Sequence, residues 1–318
     1  MAVSKYIVFL QSAHPEQDDR IAYHQRRSLE QAGHRCAYGS IHVMVDGLPD
    51  IVICDTPVAI RSARKRWGRK VKVVYDITEW YPSKKNLRNA PWLLRPLKFG
   101  VLLLANVWAG IDADAFLFGE YHKALPFRIC MGWKQSMLLP YYPDLSYIPY
   151  SLPVAPKQDV RLLYAGQQTA EKGYYRAKQL VEICQDLMPD KRVTLTTING
   201  LSFNAFCEEI SHHDICIDLR DADAENTRCL PIKLFYYLAA GKPVIYSNLK
   251  AIRHAVPQIA ADSLVEPEQI EQAAEMIKRL VEENGRYETI AQRNHQLAEA
   301  RYNWGRMKDA FVQWIEQI

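Results

Sequence analysis

A chain of 318 residues exceeds what one hydrophobic core usually organises and suits two domains of about 150 residues each. With 48% hydrophobic and 24% charged residues, no low-complexity tract and no internal repeat, the composition excludes disordered, collagen-like and repeat architectures. The net charge of +4 is unevenly shared: residues 1–150 hold 20 Lys+Arg against 13 Asp+Glu (+7), and the remainder 20 against 23 (−3), so the first half is the one suited to a negative surface.

Seven cysteines, at positions 36, 54, 130, 184, 207, 216 and 229, show no Cys-x-x-Cys pair and no histidine in zinc-ligand spacing. They read as structural thiols in a reducing compartment, with no metal and no bound cofactor expected. Met1 to Leu10 is too short and too strand-like for a signal peptide, which points to the cytoplasm. The longest apolar run, Phe99 to Ile111, has 13 residues, fewer than the roughly 20 that span a bilayer. No nucleic-acid partner is expected.

In chain order, Tyr6 to Leu10 is an apolar run suited to a buried strand, followed by a loop and a helix from near Asp18 to Gly33. Ile51–Cys54 and Val71–Asp76 predict further strands with a helix over Val58–Trp67 between them. Such alternation argues for a parallel sheet. From Lys84 to Leu104, Lys84, Lys85, Arg88, Arg95 and Lys98 interleave with Trp92, Leu93, Leu94, Leu97 and Phe99. Two readings fit this segment, an interfacial element against an anionic membrane and a core helix with a solvated basic end. Asp114–Phe118 predicts a strand and Gly119–Leu125 a short helix. Met131 to Pro156, with prolines at 140, 143, 149, 153 and 156 and no helical period, reads as a linker.

In the second half, Val160–Ala165 is a strand running into Gly166-Gln167-Gln168-Thr169-Ala170-Glu171-Lys172-Gly173, with a helix over Tyr174–Leu187 after it. Arg192–Ile198 is the next strand, closed by the turn Asn199-Gly200. Ser202 caps a helix running to His213, and Asp214–Leu219 is a buried strand before a loop carrying Asp221, Asp223 and Glu225. Acidic density of that kind suits either Mg2+ or a solvated loop, and the second is expected. In residues 228–246, Pro231 suits the first turn of a helix, Gly241 its end, and Val244 to Tyr246 a buried strand. Pro267–Glu283 predicts an amphipathic helix, and Tyr287–Ile318 further helix with Trp304, Phe311, Trp314 and Ile315 on its apolar face.

The run Pro231-Ile-Lys233-Leu-Phe-Tyr236-Tyr-Leu-Ala239-Ala240-Gly241-Lys242-Pro243 resembles the donor-site segment of retaining GT-B glycosyltransferases, the family 4-like enzymes of glycosyl transferases group 1. Three further segments extend the resemblance over nearly the whole chain: the Glu171-Lys172-Gly173 loop, Tyr75-Asp76-Ile77-Thr78-Glu79-Trp80-Tyr81-Pro82, and the opening strand-loop-helix with Arg20-Ile21, Leu29 and Gly33-His34. The resemblance implies an α/β fold of two Rossmann-like domains whose parallel sheets face an interdomain cleft. Residues 1–150 would be an acceptor domain and 151–300 a nucleotide-sugar donor domain, with 301–318 a helix crossing back to the first. It implies a nucleoside diphosphate sugar as donor and a glycan or lipid-linked acceptor, in cell-surface polysaccharide synthesis, without a metal.

By the same resemblance, Lys172, Glu79 and Arg228 are catalytic candidates. Gly166, Gln167, Lys172, Asn199, Asn226, Lys233 and Tyr236 would contact the donor, and His14, Asp18, Arg20 and Thr78 the acceptor. A fixed ammonium and a helix N-terminus would stabilise the departing diphosphate. At four positions the chain differs from the family's pattern: Thr78 stands for a histidine, Gln167 for an arginine, and Arg228 and Tyr236 for glutamates. Those differences keep two other functions open, a catalytically weak nucleotide- or glycan-binding partner protein and a nucleotide-sugar epimerase. The basic segment 84–104 adds a peripheral contact with an anionic inner membrane face as an expectation.

Overall fold

The computed structural model describes residues 3–11, 20–41, 45–78 and 82–318. His14, Asp18 and Glu79 lie outside the described residues, and of Arg20 the backbone alone is described. The chain divides into two compact units, Met1–Tyr141 with Met307–Ile318 and Tyr142–Arg306. Each is built on its own parallel sheet.

In the first unit, β1 (Tyr6–Gln11), α1 (Arg20–Gln31), β2 (Arg35–Ser40), β3 (Ile51–Cys54), α2 (Pro57–Trp67), β4 (Lys72–Ile77), α3 (Lys84–Arg88), α4 (Arg95–Asp112), β5 (Ala115–Phe118), α5 (Tyr121–Met131) and β6 (Gln135–Leu138) follow one another. The six strands pair in the order β2-β1-β3-β4-β5-β6, all parallel. Strands such as Ile51–Cys54 are buried on both faces, as a sheet covered by helices on both sides requires. Thr56 caps α2 by accepting the Ala59 N–H at 3.1 Å, and Pro57 occupies its first turn. Helices α2, α4 and α5 share one face of the sheet, where Ala59, Ala63, Ala109, Phe127 and Met131 meet Val52, Val73, Tyr75 and Phe116 in one core.

In this unit two strands lie where the sequence predicted none. β2 is short on apolar residues, and β6 falls inside the stretch read as a linker. Both are edge strands, which bury little and so carry a weak hydrophobic signal.

In the second unit, β7 (Asp159–Ala165), α6 (Tyr174–Leu187), β8 (Arg192–Ile198), α7 (Phe203–Ser211), β9 (Ile215–Asp218), α8 (Ile232–Ala239), β10 (Val244–Ser247), α9 (Lys250–Ala255), α10 (Ala260–Ser263), β11 (Leu264–Val265), α11 (Ile270–Glu282) and α12 (Arg286–Ala300) form a five-stranded parallel sheet in the order β11-β10-β9-β7-β8. Side chains alternate across the sheet. Leu162 and Tyr164 join the core under α6 and α11, whereas Leu163 and Ala165 join that under α8 and α12.

Helix α8 ends in a Schellman motif. The Gly241 N–H donates to Leu238 O and the Lys242 N–H to Tyr237 O, both at 2.9 Å, with Gly241 at φ +66. A side chain at Gly241 would meet the Tyr150 ring 2.7 Å away.

The last helix, α13 (Lys308–Glu316), belongs to the first unit. It packs on α1 and buries Phe311 and Ile315. Lys5 Nζ donates to the carbonyls of Ile315 and Glu316 at 3.2 and 2.8 Å, meeting the negative end of the helix.

Candidate functional site

Strand order alone marks where a ligand site can form in each unit. In the second sheet the chain runs outward from β7 to β8, then returns to the other side of β7 for β9. Loops leaving the carboxyl ends of β7 and β9 therefore diverge, and such a switch point opens a crevice at helix N-termini. Those loops are residues 166–173 and 219–231, which carry most of the predicted donor-site residues.

The first loop is tightly held. Gly166 N–H donates to Ile198 O at 2.9 Å. The Tyr164 hydroxyl donates to Gln167 O at 2.7 Å and lies 3.1 Å from Lys172 O. Gly173 adopts φ +79 and directly precedes α6. A Cβ there would lie 2.1 Å from Leu219 O, so the loop after β7 rests directly on the backbone leaving β9. The backbone at the start of α6 is thereby brought beside the second loop.

Two lysines converge on this corner. Lys172 Nζ donates to Asn226 Oδ1 at 3.3 Å, across the two loops. Lys233, in the first turn of α8, donates to Ala165 O, and its Nζ lies 3.7 Å from where a Gly166 side chain would begin. Burial lowers the Lys233 pKa; Asp218 opposes that shift, and the positive charges of Arg220 and Lys172 add to it. Arg220 grips Asp218 through Nε at 2.8 Å and through a second, shorter bond. Arg220 is thus paired with Asp218, while Lys172 and Lys233 stand beside glycine-bounded backbone. That arrangement suits a doubly charged anion such as a diphosphate.

The remaining donor-site candidates differ in exposure. Gln167 and Asn199 are exposed at the ends of β7 and β8, and the Arg228 side chain is exposed on the turn after Asn226. Tyr236 is 6% exposed, with its ring 5.5 Å from that of Phe203 and 5.9 Å from that of Phe206, so its ring fills the space between α8 and α7. Asp221 pairs with Arg176 at 2.6 Å, and Asp223 accepts the Glu225 and Asn226 N–H groups at 3.0 and 2.8 Å. Both acids are therefore engaged in holding their own loop. Among the described residues no group of three His, Cys, Asp or Glu could hold a metal ion.

In the first unit, a polar cluster stands at the carboxyl ends of β4 and β5. Thr78 is half-buried, and its carbonyl accepts from Lys123 Nζ at 2.6 Å. Lys123 also lies 3.3 Å from Glu120 Oε1, while His122 Nδ1 lies 3.1 Å from Glu120 Oε2. Buried Asp76 accepts from Gln25 at 3.2 Å and from the Tyr141 hydroxyl at 3.3 Å. Gly119 admits the Tyr141 ring, which a side chain there would meet at 2.3 Å. Glu120, His122 and Lys123 were missed in the sequence, where Gly119–Leu125 reads only as a short helix. The available signal was a charged triplet directly after a fully buried strand, at the entry to a helix.

No protein-family model matches the chain, and no curated protein matches it. Solved structures do. Sucrose-phosphate synthase from Thermosynechococcus elongatus is similar over 98% of this chain and 99% of that one, at 13% identity and a TM-score of 0.71. HepE from Anabaena, solved in complex with UDP-glucose, is similar over 99% and 100% at 12% identity and a TM-score of 0.67. A trehalose-6-phosphate protein from E. coli bound with UDP-2-fluoro glucose is similar over 98% and 99% at 10% identity and a TM-score of 0.64. At these identities the likeness is one of fold. The chain has the GT-B fold, as the donor-site resemblance implied.

Proposed function

We propose that this chain is a retaining, metal-independent glycosyltransferase that takes a sugar from a nucleoside diphosphate donor and passes it to a glycan or lipid-linked acceptor. We place that activity in the cytoplasm and in cell-surface polysaccharide synthesis. One observation carries the reading: Lys172 and Lys233 converge with glycine-bounded backbone at the switch point of the second sheet. The similar structures support it, since HepE and the E. coli protein were solved with UDP-sugars.

In this mechanism the bond between the anomeric carbon and the diphosphate oxygen breaks, and its electron pair stays on the phosphate. Lys172 and neighbouring main-chain N–H groups stabilise that charge, and Lys233 supplies the second cation where Gln167 has none. The acceptor hydroxyl attacks the same face of the sugar, and its proton passes to the leaving phosphate. No protein nucleophile is needed. Thr78, Glu120, His122 and Lys123 supply hydroxyl-binding groups for the acceptor.

A thermal-shift series with UDP, GDP, CMP and their sugars tests the donor site. Ligand at about 100 times its Kd stabilises by roughly 2.7 kcal/mol, a shift of several degrees. If none of these nucleotides raises the midpoint at millimolar concentration, the donor-site reading is wrong.

The packing of Tyr236 between Phe203 and Phe206 favours a second reading, a nucleotide-binding partner protein without turnover, because no carboxylate stands there for the ribose. Donor hydrolysis separates the two: thermal stabilisation with no sugar release or transfer supports the partner protein. Tyr236→Phe should change nucleotide affinity by less than about threefold if the ring acts by packing. A tenfold loss by calorimetry would show the hydroxyl in contact with the nucleotide.

A further inference from the structure

The sequence left residues 84–104 between a membrane-facing element and a core helix. Helix α4 is no core helix. Together with the turn at Trp92–Leu94, the helical stretch runs over Trp92–Asp112, 21 residues with a sixth of its apolar window buried, and is long and apolar enough by length and composition to cross a membrane. Its geometry excludes crossing. Its two ends feed β4 and β5, parallel neighbours in one sheet, and its inner face packs on that sheet.

The amphipathic order of α4 is inverted. Its inward positions are Asn106, Ala109 and Gly110, with Asn106 accepting from the Tyr75 hydroxyl at 3.1 Å. Leu97, Val101, Leu104, Trp108 and Ile111 recur at intervals of four and three, the spacing of one helix face, and all five are exposed. A side chain at Gly110 would meet Met131 at 2.7 Å, so α5 lies directly beside α4. Tyr121, Leu125, Ile129 and Trp133, four residues apart, are exposed along α5 and the turn after it, Ile129 by 74% and Trp133 by 78%. A helix needs small residues inward and large ones outward when its outer face meets something apolar.

Charge identifies that partner. Residues 84–111 contain five basic residues, Lys84, Lys85, Arg88, Arg95 and Lys98, and no acidic one, and Arg128 is exposed in the last turn of α5. A second copy docking the same face would bring like charges together. An anionic leaflet complements them, and tryptophans such as Trp92, 73% exposed, and Trp108 suit the headgroup boundary.

We infer that the outer faces of α4 and α5 form a monotopic docking surface for an anionic lipid leaflet, with the apolar stripes in the acyl boundary and the basic residues among the headgroups. This goes beyond the transfer reaction and does not depend on it.

The test is co-sedimentation of the full chain with vesicles of phosphatidylcholine containing about 30% phosphatidylserine, against phosphatidylcholine alone. Pelleting should be stronger on the anionic vesicles, with tryptophan emission shifted to the blue. The triple variant Leu97→Ser/Leu104→Ser/Trp108→Ser should lower partitioning on the order of tenfold or more. Its exposed positions leave the core intact, which circular dichroism checks. Arg88→Gln and Arg95→Gln should each cost about fivefold on anionic vesicles alone. Absence of lipid pelleting, or pelleting unchanged in the triple variant, overturns the proposal. So does lipid-free self-association abolished by the same variant, which would make a second copy the occupant. Because pelleting needs no nucleotide, its failure leaves the donor-site reading standing.

Discussion

Lys172→Ala is expected to slow sugar transfer by about 10²–10³-fold, the loss typical of removing one preorganised donor to a developing oxyanion. The side chain reaches across two loops to Asn226 Oδ1, and a cation held there meets charge that appears only as the donor bond breaks. The loss should therefore fall mainly on kcat, with KM for the donor changed by less. Lys172 is half-buried on a loop, so the midpoint of unfolding should move by no more than a few degrees. Lys172→Arg keeps the charge but not the shape of the ammonium, and intermediate activity is expected. Turnover within about threefold of the parent would remove Lys172 from the phosphate-stabilising role.

The second large effect concerns Gly173. Gly173→Ala should destabilise the second unit by about 3 kcal/mol or more, seen as a fall of roughly 5–10 °C in the unfolding midpoint and loss of nucleotide response. Two costs combine. The left-handed backbone at φ +79 penalises any side chain by about 1–2 kcal/mol. A methyl group 2.1 Å from Leu219 O also forces the loop after β7 away from the one after β9. Gly200→Ala is the matched control, because Gly200 has φ +71 with nothing within 4 Å of the added carbon. It should show the first cost alone. Equal effects in the two variants would mean that the close approach to Leu219 contributes nothing.

Regular elements were legible from local pattern where both faces of a strand or one stripe of a helix are buried. Tyr174–Leu187 and Arg192–Ile198 fall where periodicity predicts them, and Ser202 caps α7 through the Ala205 N–H at 3.4 Å. Gly241 ends α8 because its left-handed conformation is a local demand that the residue type itself announces. The further helix expected over Tyr287–Ile318 is the pair α12 and α13, separated by a turn in which Trp304 is buried and its N–H donates to Pro143 O at 2.8 Å. That break depends on a partner more than 150 residues away in the chain, so no local pattern reports it.

The chain's own order of residues determined most of the strands and helices, since periodicity and caps act over a few residues, and their alternation gave the parallel sheets. Tertiary structure decided what each side chain faces. It turned Tyr236 into the space beside Phe203 and Phe206, drew Lys233 onto Ala165 O, and assembled Glu120, His122 and Lys123 beside Thr78. It also turned the large residues of α4 outward. An apolar stripe has the same spacing whether it meets a core or a solvent-facing surface, and only the packing of neighbouring elements distinguishes the two.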